Sequence, residues 1–158
     1  MDYVSTRGAA PTLGFADALL AGLARDGGLY LPLSVPRLPP DAIRALRGVP
    51  YPEAAARVIA PFIDEDFDPD EIKSLTEAAY AGFRHAAVAP LTQIDDNLFA
   101  LELFHGPTLA FKDFAMQWLG QAMNRILRRQ DARATIIGAT SGDTGAAAIE
   151  AFTEQSQV

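Results

Sequence analysis

Of the thirteen lysine and arginine residues in this chain only two are lysines, Lys73 and Lys112, and Lys112 lies in the apolar-flanked stretch LELFHGPTLAFKDF that runs from Leu101 to Phe114. Arginine supplies a permanent cation but forms no imine, whereas a lysine stripped of its proton is a nucleophile toward carbonyl carbon. A lysine kept at such a place points to covalent chemistry. The competing reading is a snorkelling side chain with its stem on apolar surface and its ammonium in water. Lys73 fits that reading, because it follows Asp70, Glu71 and Ile72 on an amphipathic, solvent-facing helix.

The elements around Lys112 decide its surroundings. Residues 97–104 read as a buried strand, 105–108 as a turn, and roughly 111–129 as a helix. Lys112 therefore opens a helix, where the positive end of the backbone dipole disfavours a cation by about 0.3 to 1 kcal/mol and favours the neutral amine. Desolvation acts in the same sense and Asp113 in the opposite one.

The second stretch with chemistry in it is RATIIGATSGDTGAAAI, from Arg133 to Ile149. It predicts a short strand at Thr135–Ile137 stopped by Gly138, a turn, and an alanine-rich helix. Thr140, Ser141, Gly142, Asp143 and Thr144 place hydroxyls and open amides at the helix start, an arrangement that binds phosphate or carboxylate. The alternative is that Thr140, Ser141 or Asp143 caps the helix and holds no ligand. Asp143 would repel an anion and suits a hydroxyl or a cation better. The glycines at 138, 142 and 145 lack dinucleotide spacing, and no Gly-Lys-Ser or Gly-Lys-Thr follows, which excludes both nucleotide fingerprints.

Together the stretches predict a strand-helix-strand-helix unit of a parallel α/β sheet, with both turns at the carboxyl ends of strands and able to face one pocket. An imine-forming lysine opposite an anion-holding turn suits a cofactor aldehyde that condenses with an amino-acid substrate.

The run from Leu103 to Phe114 closely resembles the pyridoxal-phosphate lysine segment of the threonine synthase family. Ala139 to Ala147 (ATSGDTGAA) is similar to that family's substrate loop, and Tyr3–Gly8 and Asp26–Pro32 to its amino-terminal region. The resemblance spans essentially the whole chain. Related dehydratases and cysteine synthases share the lysine but carry Asn-Pro-Thr-Gly-Ser-Phe-Lys in place of His-Gly-Pro-Thr-Leu-Ala-Phe-Lys. The resemblance implies a fold-type II pyridoxal 5'-phosphate lyase that converts O-phospho-L-homoserine and water into L-threonine and phosphate, a step of amino-acid biosynthesis. Lys112 would hold the cofactor as an imine and then serve as the general base at Cα. Thr140, Ser141, Gly142 and Thr144 would bind the substrate carboxylate. Asp143 would contact the cofactor's ring hydroxyl, where relatives use asparagine. His105 is a candidate pocket residue, against the simpler reading of a turn histidine bonded to backbone; His85 has no partner signature.

The expected fold class is α/β, with a mainly helical amino-terminal domain over residues 1–87 and the first βαβα portion of the parallel pyridoxal-phosphate domain over 88–158. In the first part, Thr12 is expected to cap a helix over 13–25 that ends at Gly27 and Gly28. Pro40 opens a short helix stopping near Gly48, and Tyr51-Pro-Glu53 opens the next. The acidic run from Asp64 to Glu71 reads as a helix cap and not a calcium loop: Asp68 caps, Pro69 is the first helical residue and Glu71 stands three residues on.

Two strands cannot make a covered parallel sheet, and the chain ends at Val158 soon after the second turn, so a chain cut short of its catalytic domain is expected. In the family, the cradle for the cofactor phosphate and the partner of the pyridine nitrogen lie later in the sequence. The resemblance therefore implies a need for the remainder of the catalytic domain, weak cofactor binding by these 158 residues, and no turnover. Two other functions stay open: a threonine-synthase-like phospholyase that releases a ketoacid and ammonia, and a non-catalytic module that retains the motif.

A net charge of −7 without a basic stripe argues against nucleic acid, and the absence of cysteine removes disulfide and thiolate chemistry. No metal site is expected. No apolar run reaches the roughly 20 residues of a membrane span, and the start lacks a basic secretory region, which makes a cytoplasmic location the default.

Overall fold

The computed structural model describes residues 1–63, 65–140 and 142–158. The chain divides into two compact units, residues 1–49 with 53–74 and residues 50–52 with 75–158. In the first unit β1 (Tyr3–Ser5) precedes α1 (Phe15–Ala21) and pairs antiparallel with β2 (Tyr30–Pro32), Tyr3 opposite Pro32 and Ser5 opposite Tyr30. Helix α1 is shorter than the expected 13–25, because Gly22 turns the chain at φ +64° and Leu23 then bridges to Leu29. Tyr3 packs tilted against Phe15, and Phe15 edge-on to Phe67, a ring that is almost fully buried with Ile63 and Ile72.

Asp26 ties this unit's amino-terminal loops together. Its carboxylate accepts the Ser5 hydroxyl at 2.7 Å and the backbone N–H groups of Ala9, Ala10 and Gly28 at 2.9 to 3.0 Å. The Ser5 hydrogen bond, joined by those amides, lowers its pKa to about 2. A carboxyl whose folded pKa lies below its unfolded value stabilises the fold above about pH 4 and loses that contribution as pH falls toward 2. The urea midpoint of the chain is expected to fall steeply between pH 4 and pH 2, and Asp26→Asn to lower it at neutral pH and flatten that slope. Parallel pH profiles for the two proteins would remove Asp26 from this role.

Helices α2 (Pro40–Arg44), α3 (Tyr51–Ile63) and α4 (Pro69–Tyr80) follow. The start of α4 forms as its sequence implies: Glu71 N–H donates to Asp68 Oδ1 at 2.9 Å and Asp68 N–H to Glu71 Oε2 at 3.2 Å, two otherwise orphaned donors satisfied reciprocally. Asp64, at the head of the acidic run, lies outside the described residues. Lys73 is exposed on α4.

The second unit departs most from expectation. Residues 97–104 do not form a buried parallel strand. β3 (Leu91–Asp95) and β4 (Leu98–Leu101) are an antiparallel hairpin closed by Asp96 and Asn97, and nearly every strand residue is exposed, Phe99 and Leu98 included. A two-residue connection can join only antiparallel neighbours, and the Asp-Asn pair between apolar runs is the signal that marks it. Thr135–Ile137 forms no strand either. Ala134 at its foot donates to the Gln157 carbonyl at 2.9 Å, and Ile137 is 93% exposed. An extended segment with no ladder partner among the described residues leaves its amides to solvent, so the expected parallel pairing is absent here.

What does form is a pair of helices, α5 (Asp113–Arg129) and α6 (Asp143–Phe152), that approach closely at Gly120 and Ala151. Asn124 Oδ1 accepts from Gln157 N–H at 3.2 Å, and Arg128 donates to Ser156 Oγ at 2.8 Å. A cluster of Tyr51, Tyr80, Phe83 and Phe114 rings, with neighbouring centroids 4.9 to 5.5 Å apart, packs the first turn of α5. Burial, chiefly, pushes the Tyr80 hydroxyl up to about 12.

Candidate functional site

Lys112 is the residue that opens α5: it has helical backbone angles, and its carbonyl accepts the Met116 N–H at 3.0 Å. The side chain is half-buried, with Nζ 4.3 Å from the centre of the Phe111 ring. Among the described residues no carboxylate pairs with it. Asp113, the nearest carboxylate in sequence, is turned away and is completely buried. Its Oδ1 accepts the Thr108 hydroxyl at 2.6 Å and its Oδ2 the Thr108 N–H at 2.9 Å. That clamp closes the loop that carries Lys112, and sequence reasoning missed it. The spacing Thr108 to Asp113 was its only trace.

His105 occupies the turn ahead of Lys112, and its partner is a side chain and not the backbone. Its Nε2 lies 2.7 Å from Glu102 Oε2, while Glu102 Oε1 accepts the Thr92 hydroxyl at 2.7 Å. These bonds, His105 first, hold the Glu102 carboxyl below its ordinary value. The His85 ring centre lies 5.0 Å from that of His105, and His85 Nδ1 accepts the Ala87 N–H at 3.0 Å. Glu102 is a second member that sequence reasoning passed over.

At the second turn Thr140 Oγ1 accepts the N–H groups of Gly142 at 3.3 Å and Gly145 at 2.9 Å, so Thr140 serves as a cap for α6. Gly142 has φ +150°, a backbone state that side chains strongly disfavour. Asp143 is exposed in the first helical turn and Thr144 is half-buried. Ser141 lies outside the described residues. His105, Lys112 and Asp113 thus share one turn, and Thr140, Gly142, Asp143 and Thr144 the other. No hydrogen bond or ion pair joins the turns among the described residues; each stands at the start of its own helix, Lys112 before α5 and Gly142 before α6. The described residues contain no group of three or more acidic or histidine side chains able to hold a metal ion, and no helix long and apolar enough to cross a membrane.

Comparison with known proteins gives the family. Residues 2–80 match the family model "Threonine synthase N terminus". Threonine synthase of Pseudomonas aeruginosa is 53% identical over 150 residues, an alignment covering 95% of this chain and 32% of that protein. Human threonine synthase-like 2 is 40% identical over 95% of this chain and 31% of its own length. The crystal structure of pyridoxal-phosphate-bound threonine synthase from Brucella melitensis superposes with a TM-score of 0.97 at 58% identity, covering 99% of this chain and 34% of that one. The chain spans about a third of the length of the relatives it matches. Carrying that family's amino-terminal region from residue 2 to residue 80 and aligning with its members beyond it, the chain belongs to the threonine synthase family.

Proposed function

We propose that this chain is the amino-terminal part of a pyridoxal-phosphate-dependent threonine synthase that acts on O-phospho-L-homoserine and water to yield L-threonine and phosphate. The observation that carries the reading is Lys112. It is half-buried against Phe111, is uncommitted to any carboxylate among the described residues, and opens α5, which packs at Gly120 on the helix that follows the hydroxyl-rich turn. An amine engaged by no carboxylate among the described residues fits covalent capture of the cofactor aldehyde. When bound, the cofactor would delocalise the electron pair left at Cα once a proton departs.

The chain's own residues then have definite tasks. With the cofactor bound, Lys112 Nζ would be the residue that holds it and the general base that takes the Cα proton. The Asp143 and Thr144 amides at the head of α6, with the Thr144 hydroxyl, hold the substrate carboxylate, favoured by the helix dipole. Thr140 keeps that turn in shape by capping it, and Ser141 adds a hydroxyl to the same loop. The Asp143 carboxylate accepts from the ring hydroxyl of the cofactor. The helical amino-terminal domain over 1–87 and the catalytic portion over 88–158 are read as one portion of the enzyme that needs the remaining catalytic domain.

Full-length protein supplied with cofactor and O-phosphohomoserine should release threonine and phosphate in equal amounts, whereas the 158 residues alone should release neither. Phosphate with a ketoacid and ammonia would establish a phospholyase instead. Absence of all these products from the full-length protein would leave the non-catalytic module.

A further inference from the structure

We infer that Glu102 and His105 form a positioning pair that fixes the turn from which Lys112 emerges. The inference rests on the reading of Lys112 as the cofactor-holding residue and adds to it two residues that need touch neither cofactor nor substrate.

Both carboxylate oxygens of Glu102 are engaged, one with Thr92 on β3 and the other with His105 at the head of the turn. Glu102 N–H also donates to the Pro90 carbonyl at 3.0 Å. One residue therefore ties the hairpin to the lysine-bearing segment through main chain and side chain. The His105 ring lies between those of Phe104 and His85, with centroids 4.6 and 5.0 Å away. Its carbonyl accepts the Arg84 N–H at 2.8 Å, and the Arg84 guanidinium donates to the Pro107 carbonyl at 3.3 Å.

From His105 onward the turn is held at Pro107 by Arg84 and at Thr108 by Asp113, next to Lys112 itself. The side chains of the pair are largely shielded, 26% exposed for Glu102 and 19% for His105. Both histidines of the chain are gathered here. A snug ring with one polar tether restricts rotation as well as position, and a reacting group that drifts by about 1 Å can lose on the order of a hundredfold in rate.

The test uses the full-length protein and measures how fast added pyridoxal phosphate forms a borohydride-trappable adduct at Lys112, together with the visible absorption band of that adduct and the thermal unfolding midpoint. His105→Phe keeps an aromatic ring but loses the tether, and Glu102→Ala loses it from the other side. Each should slow capture about tenfold or more, and the double variant should be no slower than Glu102→Ala alone, because that substitution already removes the shared tether along with the Thr92 bond. His105→Gln places an amide N–H near the old Nε2 and should recover capture to within about threefold of the parent.

Parent-like capture in His105→Phe and Glu102→Ala, or additive losses in the double variant, would overturn the inference. So would a lowered unfolding midpoint with an unchanged capture rate in the folded fraction, which assigns the pair to stability alone. If His105→Phe does not fold, Glu102→Ala decides: slowed capture with the midpoint kept supports the pair, and parent-like capture overturns it. A parent that forms no adduct at Lys112 defeats the functional reading and this inference with it; a parent that does, with variants to match, defeats only the inference.

Discussion

Lys112→Arg is expected to abolish the borohydride-trappable cofactor adduct of the full-length protein and to lower threonine formation by at least about 10³-fold, within the range that loss of a single general base produces. The substitution isolates the chemistry. Arginine keeps the charge and can still stack on Phe111, where Lys112 Nζ now sits 4.3 Å from the ring centre. It cannot form a carbon–nitrogen double bond to the cofactor, and it cannot act as a base near neutral pH. No hydrogen bond or ion pair of Lys112 among the described residues is lost, so the unfolding free energy should stay within about 0.5 kcal/mol of the parent. An active, adduct-forming Lys112→Arg protein would end the reading of Lys112 as the reacting group. A folded variant that is inactive in chemistry but leaves the organism's phenotype unchanged would favour the non-catalytic module.

Gly120→Ala should have the largest effect on the fold. A Cβ at Gly120 would stand 2.5 Å from the Ala151 carbonyl oxygen and 3.3 Å from its carbon, and neither helix backbone can step aside as a flexible side chain would. Replacing a mid-helix glycine by alanine gains about 1 kcal/mol in propensity, while an added methyl group in a full interface costs up to about 3 kcal/mol. The cost prevails, for a net loss of about 2 kcal/mol and a fall of roughly 5 °C or more in the unfolding midpoint of the chain. Gly138→Ala is the control. Nothing lies within 4 Å of its added Cβ, and its midpoint should hardly move. Equal midpoints for the two variants would show that α5 and α6 do not pack through Gly120.

The same substitution bears on function. Forcing the helices apart shifts Lys112 at the head of one relative to Asp143 and Thr144 at the head of the other, so the full-length variant should capture cofactor and substrate less effectively even where it still folds. Recovery of the rate on lowering the temperature, without recovery of the helix spacing, would argue that the two ends need no fixed separation.

The proposed chemistry is largely legible in local sequence, because it depends on residue type and near neighbours. A single lysine in an apolar run, the Gly-Pro turn before it and a helix after it identify Lys112 and its place at the start of α5. Asp68, Pro69 and Glu71 likewise specify the start of α4, since every group in that cap lies within three residues. The family resemblance rests on the same contiguous motifs.

Strand partners and the direction of side chains were decided by the tertiary structure alone. The apolar run at 98–101 does not say which neighbour it will meet, and the Asp96-Asn97 turn folds it back on Leu91–Asp95 as an exposed antiparallel hairpin. Ile136 and Ile137 carry strand character yet find no ladder here, because backbone pairing needs a second chain segment that local propensity cannot supply. Asp113, adjacent to Lys112, turns away to Thr108, and Glu102 reaches both Thr92 and His105. Residue identity determines what a group can do; three-dimensional packing determines which partners it meets, through contacts whose spacing along the chain follows no repeating period.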